Sequence, residues 1–252
     1  DYLVRSARVA ELLDELSRMP NVRGTAAGRK ITDAAVERFV AIVPTRPEAI
    51  VGVAGALSAD GRAGEALERI EKLIRHLPAR LRASAGLAIA RGGVVTDQQA
   101  EKILKWIDAC LADESDSVPL LLSKAEFLAV RQDLPNAAAT FEKVLAKEPR
   151  NVVALNNLAW LLAADAANAE KALDLVTRAT REGGLTGDLL DTRARVRITL
   201  KQFAAAEGDL AEAIAHEPTA LRWFHVAVLR TSQTPPNAAE AANAFKEAKR
   251  RG

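Results

Sequence analysis

The chain has 252 residues, is 49% hydrophobic and 4% aromatic, and carries 35 Lys and Arg against 33 Asp and Glu. Its net charge of +2 provides no broad attraction to nucleic acid or to an anionic membrane. The single cysteine, Cys110, excludes an intramolecular disulfide framework and a cysteine-built zinc site and reads as a small buried apolar residue. No apolar run reaches the roughly 18 residues of a membrane span. The chain starts at Asp1 rather than methionine, so a removed upstream segment is expected, and the compartment, cytoplasmic or periplasmic, stays open.

From the N-terminus, a helix-like stretch over 4–16 and the series Ala35, Phe39 and Ile42 predict an atypical helical pair covering 1–46, with the basic segment 20–30 as an exposed connector. From residue 47 onward the chain reads as an array, with units near 47–80, 81–117, 118–151, 152–186, 187–220 and 221–252. In the first, Ile50, Val53, Ala54 and Leu57 share one face of a first helix. Asp60-Gly61 supplies a turn, and Ala66, Ile70 and Leu73 line a second helix that stops at Pro78. Pro149 and Pro218 stop the equivalent helices of two later units. Asn136 and Asn237 are expected N-caps of second helices. Extra polar residues over 113–117 predict a local irregularity between two units.

Six alanines set the register: Ala66, Ala100, Ala137, Ala172, Ala206 and Ala241, separated by 34, 37, 35, 34 and 35 residues. Each is followed four residues later by a large apolar residue, in turn Ile70, Leu104, Phe141, Val176, Leu210 and Phe245. A second small-residue series precedes it on the first helices: Ala54, Ala88, Ala125, Ala159 and Ala194, with Val228 in the last unit. A small residue facing a small residue lets two helix backbones approach closely.

This pattern resembles the tetratricopeptide repeat over residues 47 to 252. The resemblance implies an all-α fold, a right-handed superhelical solenoid of antiparallel helix pairs with six to seven repeats. Arg91 and Arg197 depart from it, standing where a large apolar or aromatic residue is usual. The alanine-rich helices and the stretch NNLAWLLA over 156–163 have a bacterial style.

In that family the first helices line a concave groove that takes a peptide or protein segment. Carrying the frame across names Leu122, Glu126, Asn156, Asn157, Trp160, Asp191, Arg195, Arg222, His225 and Leu229 as the expected partner-binding set. Its mixture of amides, charges and one indole suits an extended or helical peptide. Trp160 points either into the groove or against the adjoining first helix. Asn156 and Asn157 serve either a peptide backbone or a neighbouring repeat. The lysine, asparagine and arginine clamp that some relatives use for a C-terminal carboxylate is not reproduced. Its places read Leu122 and Glu126, then Asn157, then Asp188 and Thr192.

No reaction chemistry stands out. His76, His216 and His225 are scattered and form no metal-binding pair, while Gly92-Gly93 and Gly183-Gly184 read as turn glycines. No enzyme activity, cofactor or metal is expected. Arg193, Arg195 and Arg197 and the cluster Lys249, Arg250 and Arg251 lack an aromatic series for base stacking, which argues against a nucleic-acid partner. The alternative to a peptide-binding scaffold is a structural spacer or self-assembly module of a larger protein, such as an assembly or export component. Homo-oligomerisation stays open.

Overall fold

A computed structural model describes residues 25–73 and 77–251. The expected helix over 4–16, residues 20–24 of the expected connector and His76 lie outside them, while residues 26–30, expected as connector, form the start of a helix capped by Thr25. The described residues form an all-α fold of thirteen helices. A leading helix, α1 (Ala26–Ile42), is followed by six pairs. These are α2 (Ala49–Ala59) with α3 (Ala63–Leu73), α4 (Ala79–Gly92) with α5 (Asp97–Asp113), and α6 (Val118–Val130) with α7 (Leu134–Lys147). They continue as α8 (Val152–Leu162) with α9 (Ala169–Gly183), α10 (Gly187–Thr199) with α11 (Phe203–His216), and α12 (Ala220–Ser232) with α13 (Ala238–Arg251). The chain falls into two compact units, divided between residues 140 and 141 within α7.

Local chemistry sets the helix ends. Thr25, Thr96, Asn151, Thr186 and Thr219 each accept a backbone N–H from the first turn, and Thr96 with Gln99 completes a reciprocal capping box. Asn237 accepts from the amide of Glu240 at 3.2 Å, as its expected capping role requires. Asn136 does not cap α7. That helix starts two residues earlier at Leu134, and Asn136 lies in its first turn, its side-chain amide donating to Asp133 at 2.8 Å. Asp133 is the better acceptor there because a carboxylate complements the positive end of the helix dipole.

The turns inside three pairs pass through the left-handed region, at Gly61 (φ 78°), Gln132 (φ 62°) and Lys201 (φ 59°). Glycine adopts that conformation freely, whereas a side chain there is strained.

The first unit has one continuous apolar core running from Val36 to Phe127. The expected face of α2 is buried, with Ile50, Val53, Ala54 and Leu57 all at 0% exposure, and Cys110 is equally closed off. Here α2 and α4 nearly touch. A methyl group on Gly92 would lie 2.9 Å from the Gly55 carbonyl oxygen, and one on Gly93 only 2.3 Å from that of Ser58. The Ser58 hydroxyl donates to the Ile89 carbonyl at 2.6 Å inside this contact. Gly92 and Gly93 thus close helix α4 and also let it approach α2.

The second unit repeats the pair geometry with different fillings. Ala172 and Val176 on α9 are fully buried, as is Ala206 on α11, with Leu210 at 1%. Arg197, the departure from the family pattern, turns its guanidinium to Asp209 on α11 at 2.6 Å, where Arg193 also binds through two nitrogens at 2.7 and 3.0 Å. The hydrogen bonds to Asp209 hold the Arg193 guanidinium even more firmly protonated than usual. Arg91 in the first unit is likewise engaged, donating to Glu126 at 3.0 Å.

Candidate functional site

The candidate face is made by the first helices α8, α10 and α12 of the second unit. Residues three and four apart on a helix share a face, which groups Asn156 and Asn157 with Trp160, and Asp191 with Arg195. The Arg195 guanidinium carbon lies 4.3 Å from the centre of the Trp160 ring, and its Nη1 donates to the Trp160 backbone carbonyl at 3.0 Å. Trp160 keeps 38% of its surface exposed. Burial pulls Arg195 below its ordinary basicity, with the charge of Asp191 opposing. Among the described residues no carboxylate pairs with Arg195, so this cation is stacked and partly desolvated with bonding capacity left over. One turn back on α8, the side-chain oxygen of Asn156 is buried without a hydrogen-bond partner. An orphaned acceptor of that kind costs free energy unless something donates to it.

Four of the expected residues are buried among the first helices. Asp191 and His225 are each 6% exposed and meet at 2.8 Å, tying α10 to α12. Arg222 is 4% exposed, binds Asp188 at 2.6 Å and also donates to the Glu217 carbonyl. Its guanidinium lies so close over Gly187 that a methyl group there would stand 2.8 Å from it. Leu229 is 1% exposed, in a small core with Ala194, Ile198, Ala206 and Leu210. The repeat spacing sets these four on the partner side; the structure buries them because adjacent first helices pack against one another along that side. Asn157 is half-buried. In the first unit Leu122 is half-buried and Glu126 is held by Arg91.

No family model matches the chain, and no curated protein sequence matches it. Solved structures do. A tetratricopeptide repeat protein from Parabacteroides merdae aligns over 97% of this chain and 94% of its own, at 18% identity and a TM-score of 0.65. A thermophilic protein of the same type from Thermus thermophilus aligns over 69% of this chain and 92% of its own, at 17% identity and a TM-score of 0.57. Yeast Tom70 aligns over 93% of this chain but 50% of its own, at 18% identity and a TM-score of 0.57.

The chain has a tetratricopeptide-type repeat fold. In that frame the pairs Trp160–Arg195, Asp191–His225 and Asp188–Arg222 each join one first helix to the next, 34 or 35 residues on. Sequence reasoning named several of these residues but not their pairing. The signal was available as an acid on one repeat and a base one repeat later, at Asp188 and Arg222 and again at Asp191 and His225. Asp209, the acceptor for two arginines, stands three residues after the alanine of its second helix, outside the alanine and i+4 register that marks the repeats. No described helix is long and apolar enough to cross a membrane.

Proposed function

We propose that this chain is a protein-interaction scaffold that binds a peptide or protein segment on the first-helix face of its second unit. The observation that carries the reading is the half-exposed Trp160 under a partly desolvated Arg195 that has no carboxylate partner among the described residues. A peptide carbonyl or carboxylate would use the free guanidinium donors, and a side chain laid on the indole would bury it, the kind of contact that dominates interface energies. A donor from the same peptide would satisfy the buried oxygen of Asn156. Asn157 flanks this centre. Leu122 and Glu126 on α6 are proposed separately, for the first-helix face of the first unit. Arg222, His225, Asp191 and Leu229 support the second-unit site from beneath by fixing α12 against its neighbours.

The test is affinity capture from the source cell with the native chain beside a Trp160→Ala, Asn157→Ala double variant, followed by measuring the affinity of the captured partner. Loss of an indole at a hot spot costs about 2 kcal/mol, so roughly 30-fold weaker binding is expected at unchanged melting temperature. Equal capture by both proteins would sink the assignment.

A further inference from the structure

On α8, Val153, Asn157 and Trp160 occupy positions i, i+4 and i+7 and so lie along one stripe of the helix. Val153 is 46% exposed and Trp160 38%. Asn157 lies between them, half-buried, and its side chain has no hydrogen-bond partner among the described residues. An asparagine amide offers both donors and an acceptor, the combination that a peptide backbone needs.

At the Trp160 end the stripe is charged. The Nη1 of Arg195 is committed to the Trp160 carbonyl at 3.0 Å, and the guanidinium sits over the indole. Its Nε and Nη2 have no partner among the described residues, and they remain open, unlike the Nε of Arg197, which is buried and unbonded. Nε and Nη2 form the planar fork that matches an anion through two parallel bonds. Charge selects which anion. Arg195 brings a single positive charge, and Asp191 on the same helix, bound to His225, adds a negative field. A carboxylate would be matched one for one in this partly desolvated place, whereas a phosphate dianion would stay half compensated.

At the other end the stripe is apolar. Val153 precedes Trp160 by seven positions, about 10 Å along the helix axis. A β-strand returns a side chain to the same side after two residues, about 7 Å, or after four, about 13 Å, and fits neither way. A polyproline II segment does so every third residue, about 9 Å on.

We propose that the Trp160 face recognises an extended, polyproline II-like segment of a partner protein in which an acidic and an apolar residue stand three positions apart. The acidic side chain takes the Arg195 fork, the apolar one covers Val153, and Asn157 bonds the backbone between them. The fork reaches the stripe from α10, beside the path over Asn157, so a side chain branching from the segment meets it rather than the segment's end. This assignment rests on the reading of the face as protein-binding.

The probes are short peptides blocked at both ends, carrying Glu-Pro-Pro-Leu or Leu-Pro-Pro-Glu between glycines, with affinity read by fluorescence anisotropy. One of the two orders should bind, and replacing its glutamate by glutamine should weaken it at least about tenfold. Deleting one proline, which closes the spacing from three to two, should weaken it similarly. Arg195→Gln should bring the glutamate peptide down to the affinity of the glutamine peptide and leave the latter unchanged. Binding of neither order, equal affinity for glutamate and glutamine, or indifference to the spacing would overturn the proposal. Tighter binding of a phosphoserine peptide, or of the glutamine peptide with a free C-terminal carboxylate, would overturn it too. So would self-association in sedimentation velocity that Arg195→Gln removes, because a second copy would then hold the face. Partner capture that still depends on Trp160 would leave the scaffold reading standing after any of these failures, whereas capture indifferent to Trp160 would remove both.

Discussion

In the first unit, α2 and α4 meet with almost nothing between them: Gly92 and Gly93 stand where a methyl group would strike the Gly55 and Ser58 carbonyl oxygens. In the second unit the corresponding helices are spaced by side chains, with Arg195 on Trp160, His225 against Asp191 and Arg222 reaching Asp188. The same repeat frame therefore tolerates two kinds of joint. A dry joint is vulnerable to added volume and a polar one to a lost partner. The dry one leaves no groups to offer a ligand, while the polar one keeps donors, acceptors and an indole at the helix face. That is why the binding proposal centres on the second unit.

The largest expected effect comes from emptying a polar contact. Asp209→Ala would strand the Arg193 and Arg197 guanidinium groups and should lower stability by about 4 kcal/mol, read by urea denaturation. A loss under 1 kcal/mol would show that water replaces the carboxylate and that this part of the contrast is false. Filling the dry joint should come next. Gly93→Ala places a methyl against backbone that cannot turn away, and about 3 kcal/mol is expected.

Cys110 provides a local readout of that change. Its thiol is fully buried, and burial raises its pKa, so little reactive thiolate forms at neutral pH. If Gly93→Ala eases opening of the first unit by about 3 kcal/mol, labelling of Cys110 should accelerate roughly 100-fold.

The matched control is Gly187→Ala, where the new methyl meets only the end of the Arg222 side chain. The guanidinium can shift, so a cost of about 1 kcal/mol is expected in the same denaturation series. If Gly187→Ala proves as damaging as Gly93→Ala, the two joints do not differ as argued. The smallest effect is a gain. Lys201→Gly relieves a left-handed backbone at a turn where the first pair already has Gly61, and should raise the melting temperature by an amount equivalent to about 0.5–1 kcal/mol.

Helix pairing was legible in the sequence because its determinants are local. An alanine and a large apolar residue four positions later lie on one helix face, and the face of α2 predicted from Ile50, Val53, Ala54 and Leu57 is the one that is buried. The site was harder to read. A first helix in such an array is covered on several sides, and each step along the sequence rotates about 100° around the helix axis. One or two positions therefore decide between solvent and a neighbouring helix. Trp160 and Asn157 fall on the accessible side, while Asp191, His225 and Leu229 fall on the covered one. Nothing in composition distinguishes them. A partner one repeat away does, as the bonds from Asp191 to His225 and from Asp188 to Arg222 illustrate.

Those bonds also bear on how the protein is made. Ser58 to Ile89 spans 31 positions, Asp191 to His225 spans 34, and Thr199 to the Ala163 carbonyl spans 36. Each partner emerges from the ribosome within roughly one repeat of the other, a few seconds apart at ordinary elongation rates of about 5–20 residues per second. A helix pair can thus lock onto its predecessor as soon as it is synthesised, without waiting for a distant segment. Until His225 arrives, 34 residues later, the Asp191 carboxylate must remain in water, and α10 can settle fully only when α12 has been made.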